Sequence, residues 1–305
     1  MNRKNINAVT LSINIFERTY MNIFKNGFFE NIENKFHYRF DQIHIIINNV
    51  NDRDKVEKKV LELKDKGIIT HFYFVEDYID KALKKFEINY DVLGKLPYYS
   101  NHLYVAIFVT KTKFLCHFDP DNIILKGGDW IQDSIDLLNK DQSVMVTAPR
   151  SWKFFPKKDS VTKNNKFYFC YAFGDAFFFI RTKDFSKDIY NYRTLAAFAA
   201  YPLSYIFPIF EQRVNSYIRC NNKLFAYHIQ SLYSQPNEGN FYNKTKFVYK
   251  IKRLYQIIIR IILELLKIKN PKYRIQGNLN AVSRIRILKE YYKILLNKIT
   301  INKKI

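Results

Sequence analysis

The chain has 305 residues, with 50 Lys+Arg against 28 Asp+Glu, a formal net charge of +22. Hydrophobic residues at 48% and aromatics at 17% exclude intrinsic disorder, which needs low hydrophobicity beside high charge. Three scattered cysteines, Cys116, Cys170 and Cys220, exclude a disulfide framework or a zinc knuckle and fit reduced thiols in a cytosolic protein.

In chain order, Ala8–Ile15 reads as a buried first strand. Ser12 and Asn14 interrupt its apolar run and no small-residue cleavage site follows, so a buried first strand is the better reading than a signal peptide. Met21, Phe24, Phe28, Phe29 and Ile32 lie near helical spacing and predict a helix over Thr19–Ile32. Gln42–Val50 is a β-branched run typical of a strand covered on both faces. Asp52 can cap a helix from Arg53 to Lys64, which Gly67 stops. A strand over Ile68–Val75 and a helix over Tyr78–Phe86 follow. Pro97 opens a helix to about Val109, and Lys113–Phe118 is a short apolar strand. Trp130–Leu138 reads as a helix and Ser143–Ala148 as a strand. This alternation predicts an α/β fold: a mostly parallel sheet flanked by helices on both faces. Lys166–Phe173 and Ala176–Ile180 are aromatic-rich strands suited to a mixed edge of that sheet. A helix over Phe210–Arg219 and a strand over Leu224–Gln230 complete the pattern.

Charge divides the chain in two. Residues 244–305 hold 17 Lys+Arg and two acids, Glu264 and Glu290, a net +15. Residues 1–243 hold 33 basic and 26 acidic residues, a net +7. The expected organisation is a catalytic-sized domain over 1–243 and a basic extension over 244–305. In that extension Phe247, Ile251, Leu254, Ile258, Ile261 and Leu265 form one helical stripe, and Leu279, Val282, Ile285, Leu288, Tyr292 and Leu295 form another. Such basic amphipathic helices can lie on an anionic membrane surface, or pack as a hairpin on the domain or a partner subunit. No stretch reaches the roughly 18 uncharged apolar residues that a membrane span needs. No specific nucleic-acid module is legible.

The sharpest chemical feature is Lys113-Phe-Leu-Cys-His-Phe-Asp119-Pro120-Asp121. An apolar strand ends in two carboxylates one residue apart. In an open α/β sheet, ligands bind outside the carboxyl ends of the strands. Two acids there repel unless a cation sits between them, and hard divalent ions favour such oxygen ligands. The same tripeptide is also good turn chemistry. His117 shares a strand face with Asp119 and fits a supporting donor.

These residues and the preceding βαβα rhythm resemble the GT-A glycosyltransferases, in particular those like glycosyltransferase family 2, over roughly residues 7–238. The resemblance implies a GT-A type, Rossmann-like nucleotide-binding domain whose D-x-D, here Asp119 and Asp121, holds Mn²⁺ or Mg²⁺. Asp119 would also contact the donor. Ser12, Asn14 and Arg18 match the first strand and turn that hold the nucleotide. Asn49 stands, with Asn48, where the family often has acids that read the base. Asn101 and His102 match the segment lining the donor pocket. Asp175, in Phe173-Gly-Asp-Ala, matches the strand beside the acceptor. Glu211 matches the helix start that carries the catalytic carboxylate of inverting members, and the base would be Glu211 or Asp175. His228 is the best-placed late histidine for the metal; a packed histidine is the bland alternative. What this implies is a cytoplasmic enzyme, peripheral on the inner membrane face through its extension. It would move a sugar from a nucleotide-diphosphate-sugar donor to a glycan or lipid-linked glycan acceptor. The competing expectations are a nucleotidyltransferase or aspartyl phosphatase, and a non-catalytic basic protein that binds a membrane surface or nucleic acid on an α/β scaffold. The phosphatase would want its paired Asp near the first strand, not on a late one.

Overall fold

The computed structural model describes residues 7–93, 97–151, 160–194, 196–197 and 209–235, with positions 254 and 258. The expected helices of the basic extension, and its division from the domain, lie outside the described residues.

Ten strands form one mixed sheet: β1 (Val9–Ile15), β2 (Gln42–Ile47), β3 (His71–Phe74), β4 (Phe114–Phe118), β5 (Ile123–Lys126), β6 (Val144–Ser151), β7 (Thr162–Lys163), β8 (Phe167–Cys170), β9 (Phe177–Arg181) and β10 (Leu224–Ser234). Their order is β3-β2-β1-β4-β9-β6-β10-β8-β7, with β5 paired to β10. Strands β1 to β4, β6, β7 and β10 run one way; β5, β8 and β9 run the other. The helices are α1 (Phe28–Phe36), α2 (Arg53–Asp65), α3 (Val75–Lys85), α4 (Tyr98–Val109), α5 (Trp130–Lys140), the single turn α6 (Thr182–Phe185) and α7 (Phe210–Cys220).

The α/β expectation is met, and most elements fall where periodicity placed them. Asp52 caps α2 by accepting the Lys55 N–H at 3.0 Å, and Gly67 takes a left-handed φ of 68° just beyond it. The helix expected over Thr19–Ile32 is instead a 3₁₀ turn, Tyr20–Phe24, followed by α1. Gly27 lies between them at φ 71°, and that backbone turn breaks the helical run. Strand β5 was not legible: only Ile124 of its four residues is buried, so it carries almost no apolar pattern.

The central strands are covered on both faces, which is why their sequences are continuously apolar. One face packs Leu11, Ile13, Phe114, Cys116 and Phe118 against α1, α2 and α5. The other packs Ile46, Leu115, Phe178 and Ile180 against α3, α4 and α7. The His117 ring stacks on Phe178 at 5.0 Å, so it lies on the second face, with α4 and α7 above it. Arg213, fully buried in α7, donates to the Tyr190 carbonyl at 3.0 Å and anchors the helix that begins beside Glu211.

Candidate active site

The D-x-D turn leaves β4 at the carboxyl edge of the sheet. The Asp119 N–H donates to the Ala176 carbonyl at 3.0 Å, which ties the turn to the start of β9. Asn122 fixes it further: its side-chain amide donates to the carbonyls of Asp119 at 3.0 Å and Ala176 at 2.8 Å. Sequence reasoning missed Asn122. Its signal was its place just after Asp-Pro-Asp, where an amide can close the turn.

Four chain segments converge here. On β1, the Asn14 amide donates to Asp119 Oδ1 at 3.4 Å. Ser12, one pleat back, pairs in register with His117. On β4, His117 Nε2 lies 3.4 Å from Asp119 Oδ1. From α4 comes His102, whose ring centroid is 5.7 Å from that of His117. His102, His117 and Asp119 each offer one ligand atom, all within 4.8 Å of one another. The loop before β9 adds Asp175, whose N–H donates to Glu211 Oε1 at 3.1 Å and so joins it to α7.

The electrostatics are those of crowded carboxylates. Burial pushes Asp119 up to about 6, against the opposing pull of His102 and the Asn14 amide. Burial, then the charge of Asp119, pushes Asp121 to about 6. Asp175 also rises to about 6 through burial and the Asp119 charge, opposed by Glu211 and His117. Burial holds His102 and His117 down at about 4, so both imidazoles are neutral near pH 7. The approach of His117 to Asp119 is therefore not an ion pair at that pH.

Polar atoms are also left over. Both ring nitrogens of His117, Nδ1 of His102, Oδ1 of Asn14, Oδ1 of Asn101 and Oγ of Ser12 are buried without a hydrogen-bond partner. Buried polar groups normally find partners, so such a concentration calls for an additional group. Three carboxylates beside two neutral imidazoles fit a divalent cation, and the mixed oxygen and nitrogen donors suit Mn²⁺ better than Mg²⁺.

Of the other expected residues, Arg18 and Asn49 are exposed on the turns after β1 and β2, with Asn49 at φ 49°. It is Asn48 that turns inward, its amide donating to the Tyr98 carbonyl at 2.9 Å and linking β2 to α4. His228 does not join the cluster. Its Nδ1 meets Ser231 Oγ at 3.0 Å and its Nε2 meets Asp133 Oδ2 at 3.1 Å, so both nitrogens are engaged. Its strand also lies three places from β4, about 14 Å at ordinary strand spacing. The physical reason is a bulge between His228 and Leu232 that turns the ring toward α5. The histidine nearer Asp119 is His102, expected only as a donor-pocket residue.

No protein-family model matches the chain, and no curated protein does. Solved structures do resemble it. One is GalNAc-T7 with UDP, GalNAc and Mn²⁺, at TM-score 0.44 and 12% identity, covering 76% of this chain and 44% of that one. Another is the mannosyltransferase from Pyrobaculum calidifontis with GDP-Man and Mn²⁺, at TM-score 0.45 and 11% identity, covering 86% and 65%. A third is glucosyl-3-phosphoglycerate synthase from Mycobacterium tuberculosis with Mg²⁺ and UDP, at TM-score 0.42 and 9% identity, covering 85% and 79%. The chain thus spans less than half the length of the GalNAc-T7 structure. The likeness is loose.

Proposed function

We propose that the chain is a metal-dependent glycosyltransferase using a nucleotide-diphosphate-sugar donor. The observation that supports this most is the meeting of Asp119, Asp121 and Asp175 with two neutral imidazoles at the carboxyl edge of β1 and β4. All three acids are pushed up to about 6. That arrangement is costly without a cation and apt for one that must face a diphosphate.

In this reading Asp119 and Asp121 hold Mn²⁺ or Mg²⁺, with His102 and His117 within reach. Bound there, the ion supplies charge neutralisation for the departing diphosphate. Ser12, Asn14 and Asn101 present unsatisfied polar atoms to the donor. Asp175 or Glu211 takes the proton from the acceptor hydroxyl as the sugar carbon is attacked. The raised pKa of Asp175 suits a base working near neutral pH. The Glu211 carboxylate, by accepting the Asp175 N–H, holds the two acids in one geometry. The acceptor is a glycan or lipid-linked glycan, and the basic extension over 244–305 brings the enzyme to an anionic membrane. Among the described residues no helix is long and apolar enough to cross a membrane.

Thermal shifts with UDP, GDP and CDP, each with and without Mn²⁺, test the donor class. One nucleotide should stabilise only with metal. Asp121→Ala should remove that shift and reduce donor turnover at least about 100-fold while circular dichroism stays unchanged. A variant with full metal-dependent turnover would refute the assignment. Loss of anionic-vesicle binding on deleting 244–305 tests the docking role, and undiminished binding would exclude it.

A further inference from the structure

At the opposite, amino edge of the sheet lies a cavity of about 450 Å³. Four lysines line it, from three separate segments: Lys85 ends α3, Lys111 and Lys113 precede β4, and Lys183 follows β9. Phe86 and Thr182 also border it. Among the described residues no carboxylate lines it. Among the described residues none of the four lysines is ion-paired: Lys111 Nζ donates to the Phe108 carbonyl at 3.2 Å, and Lys113 Nζ to Asn7 Oδ1 at 3.1 Å.

Two features separate this from an ordinary solvated lysine face. First, the charges border a concave space, where a low-dielectric wall strengthens their combined field. Second, Thr182 is 5% exposed and its hydroxyl is buried with no hydrogen-bond partner. The neighbouring hydroxyls are already used, Thr110 donating to the Ala106 carbonyl at 2.7 Å and Thr112 to the Phe114 carbonyl at 2.8 Å. The carboxyl ends of α3 and α4 approach the same edge and each carry about half a negative charge. Together they offset about one of the four lysines, which leaves a surplus of about three positive charges.

We propose that this cavity is a phosphate-binding site, separate from the D-x-D edge, that takes a phosphate monoester. The lysines supply the charge, Thr182 lends a hydroxyl, and the Phe86 ring bounds one apolar side. The monoester belongs either to a soluble molecule or to a lipid headgroup.

The test uses the full chain in EDTA, so that metal-dependent nucleotide binding does not contribute. Calorimetry measures inorganic phosphate and glycerol 3-phosphate; flotation measures vesicles of phosphatidic acid in phosphatidylcholine against charge-matched vesicles of phosphatidylglycerol, a diester that the extension would bind equally. The variants are Lys111→Ala with Lys183→Ala, and separately Thr182→Val. Both should keep the thermal midpoint and the Mn²⁺-dependent nucleotide shift. The double variant should bind the monoester about tenfold more weakly, and Thr182→Val about threefold. Loss of soluble binding identifies a free monoester; loss confined to phosphatidic acid vesicles identifies the headgroup. Affinities unchanged in both variants, or no monoester binding in either form by the parent chain, would overturn the proposal.

Discussion

The two edges of the sheet are opposites. At the carboxyl edge, three acids crowd two neutral imidazoles, and six buried polar atoms on Ser12, Asn14, Asn101, His102 and His117 lack partners. At the amino edge, the polar groups of the scaffold are nearly all spent. Thr10 and Thr112 share a hydrogen bond of 2.6 Å, and the Val9 N–H donates to Asp41 at 2.8 Å. The buried Arg181 guanidinium is used up by Asp184 and the carbonyls of Leu138 and Val144. A fold satisfies the polar groups it needs for itself. Leftover atoms that crowd together, as at the carboxyl edge, point to a bound group; scattered ones such as Tyr104 Oη, Trp130 Nε1, Ser134 Oγ and Thr147 Oγ1 carry no such meaning alone. By that measure the carboxyl edge offers the donor set that the proposed cation site needs. Among the described residues, the amino edge offers the buried, unpartnered Thr182 hydroxyl under a rim of lysines.

Substitutions at each edge should therefore separate function from stability, and Asp121→Ala has the largest expected effect on function. The largest expected effect on stability comes from Gly127→Ala, just beyond the D-x-D turn. A Cβ there would sit 1.7 Å from the Lys35 carbonyl oxygen, which also accepts the Gly128 N–H at 2.7 Å. The Gly127 carbonyl in turn accepts from Ser231. The backbone must move, and the urea midpoint should fall by the equivalent of about 3 kcal/mol. A midpoint unchanged by this variant would show that the carboxyl edge tolerates a shift that its close contacts forbid.

Between the edges, His44 provides a pH test. Burial, then the neighbouring His71, holds its imidazole down at about 4. The groups around it are His71, Tyr73 and Gln42, whose side-chain oxygen is 3.1 Å from Nε2. A depressed pKa means that the folded state resists the proton. The stability His44 contributes is intact above the unfolded value of about 6.5 and is lost as pH falls through about 4. The loss is at most about 3 kcal/mol, and His44→Val should flatten that part of the acid profile. An identical profile in the variant would assign the acid sensitivity elsewhere. The smallest expected change is Asp52→Ala, which removes the cap of α2 and should cost about 1 kcal/mol without altering metal or nucleotide binding. A change in nucleotide binding in that variant would blur the division between edge and scaffold.

Much of the fold was legible because local rules and tertiary packing agree. Buried β-branched runs became β1 and β2, and Asp52 and Gly67 bound α2 as their chemistry demands. Where packing outweighed pattern, the sequence misled: Gly27 splits an apparently continuous helical stripe, and β5 forms by pairing to β10 with only one residue buried. The site was half legible. Asp119, Asp121, Asp175 and Glu211 do meet, but His228 goes to Asp133 and its place near Asp119 falls to His102, from a helix that precedes β4 in the chain. No spacing in one dimension encodes which of two histidines crosses a sheet.

By itself, the sequence determined the α/β class, the strand that ends in Asp119-Pro120-Asp121, and the split of the +22 charge into +7 and +15. These are local properties: periodicity, turn chemistry and composition. Only the tertiary structure decided which side chains share a cavity. Strand order placed Asn14 beside Asp119, and α4 and α7 brought His102 and Glu211 over the same edge. It also divided the modest +7 of the domain, gathering Lys85, Lys111, Lys113 and Lys183 at the far edge from the carboxylates. The reason is that charge and coordination act through space, at distances of a few ångströms, between residues as much as 105 positions apart.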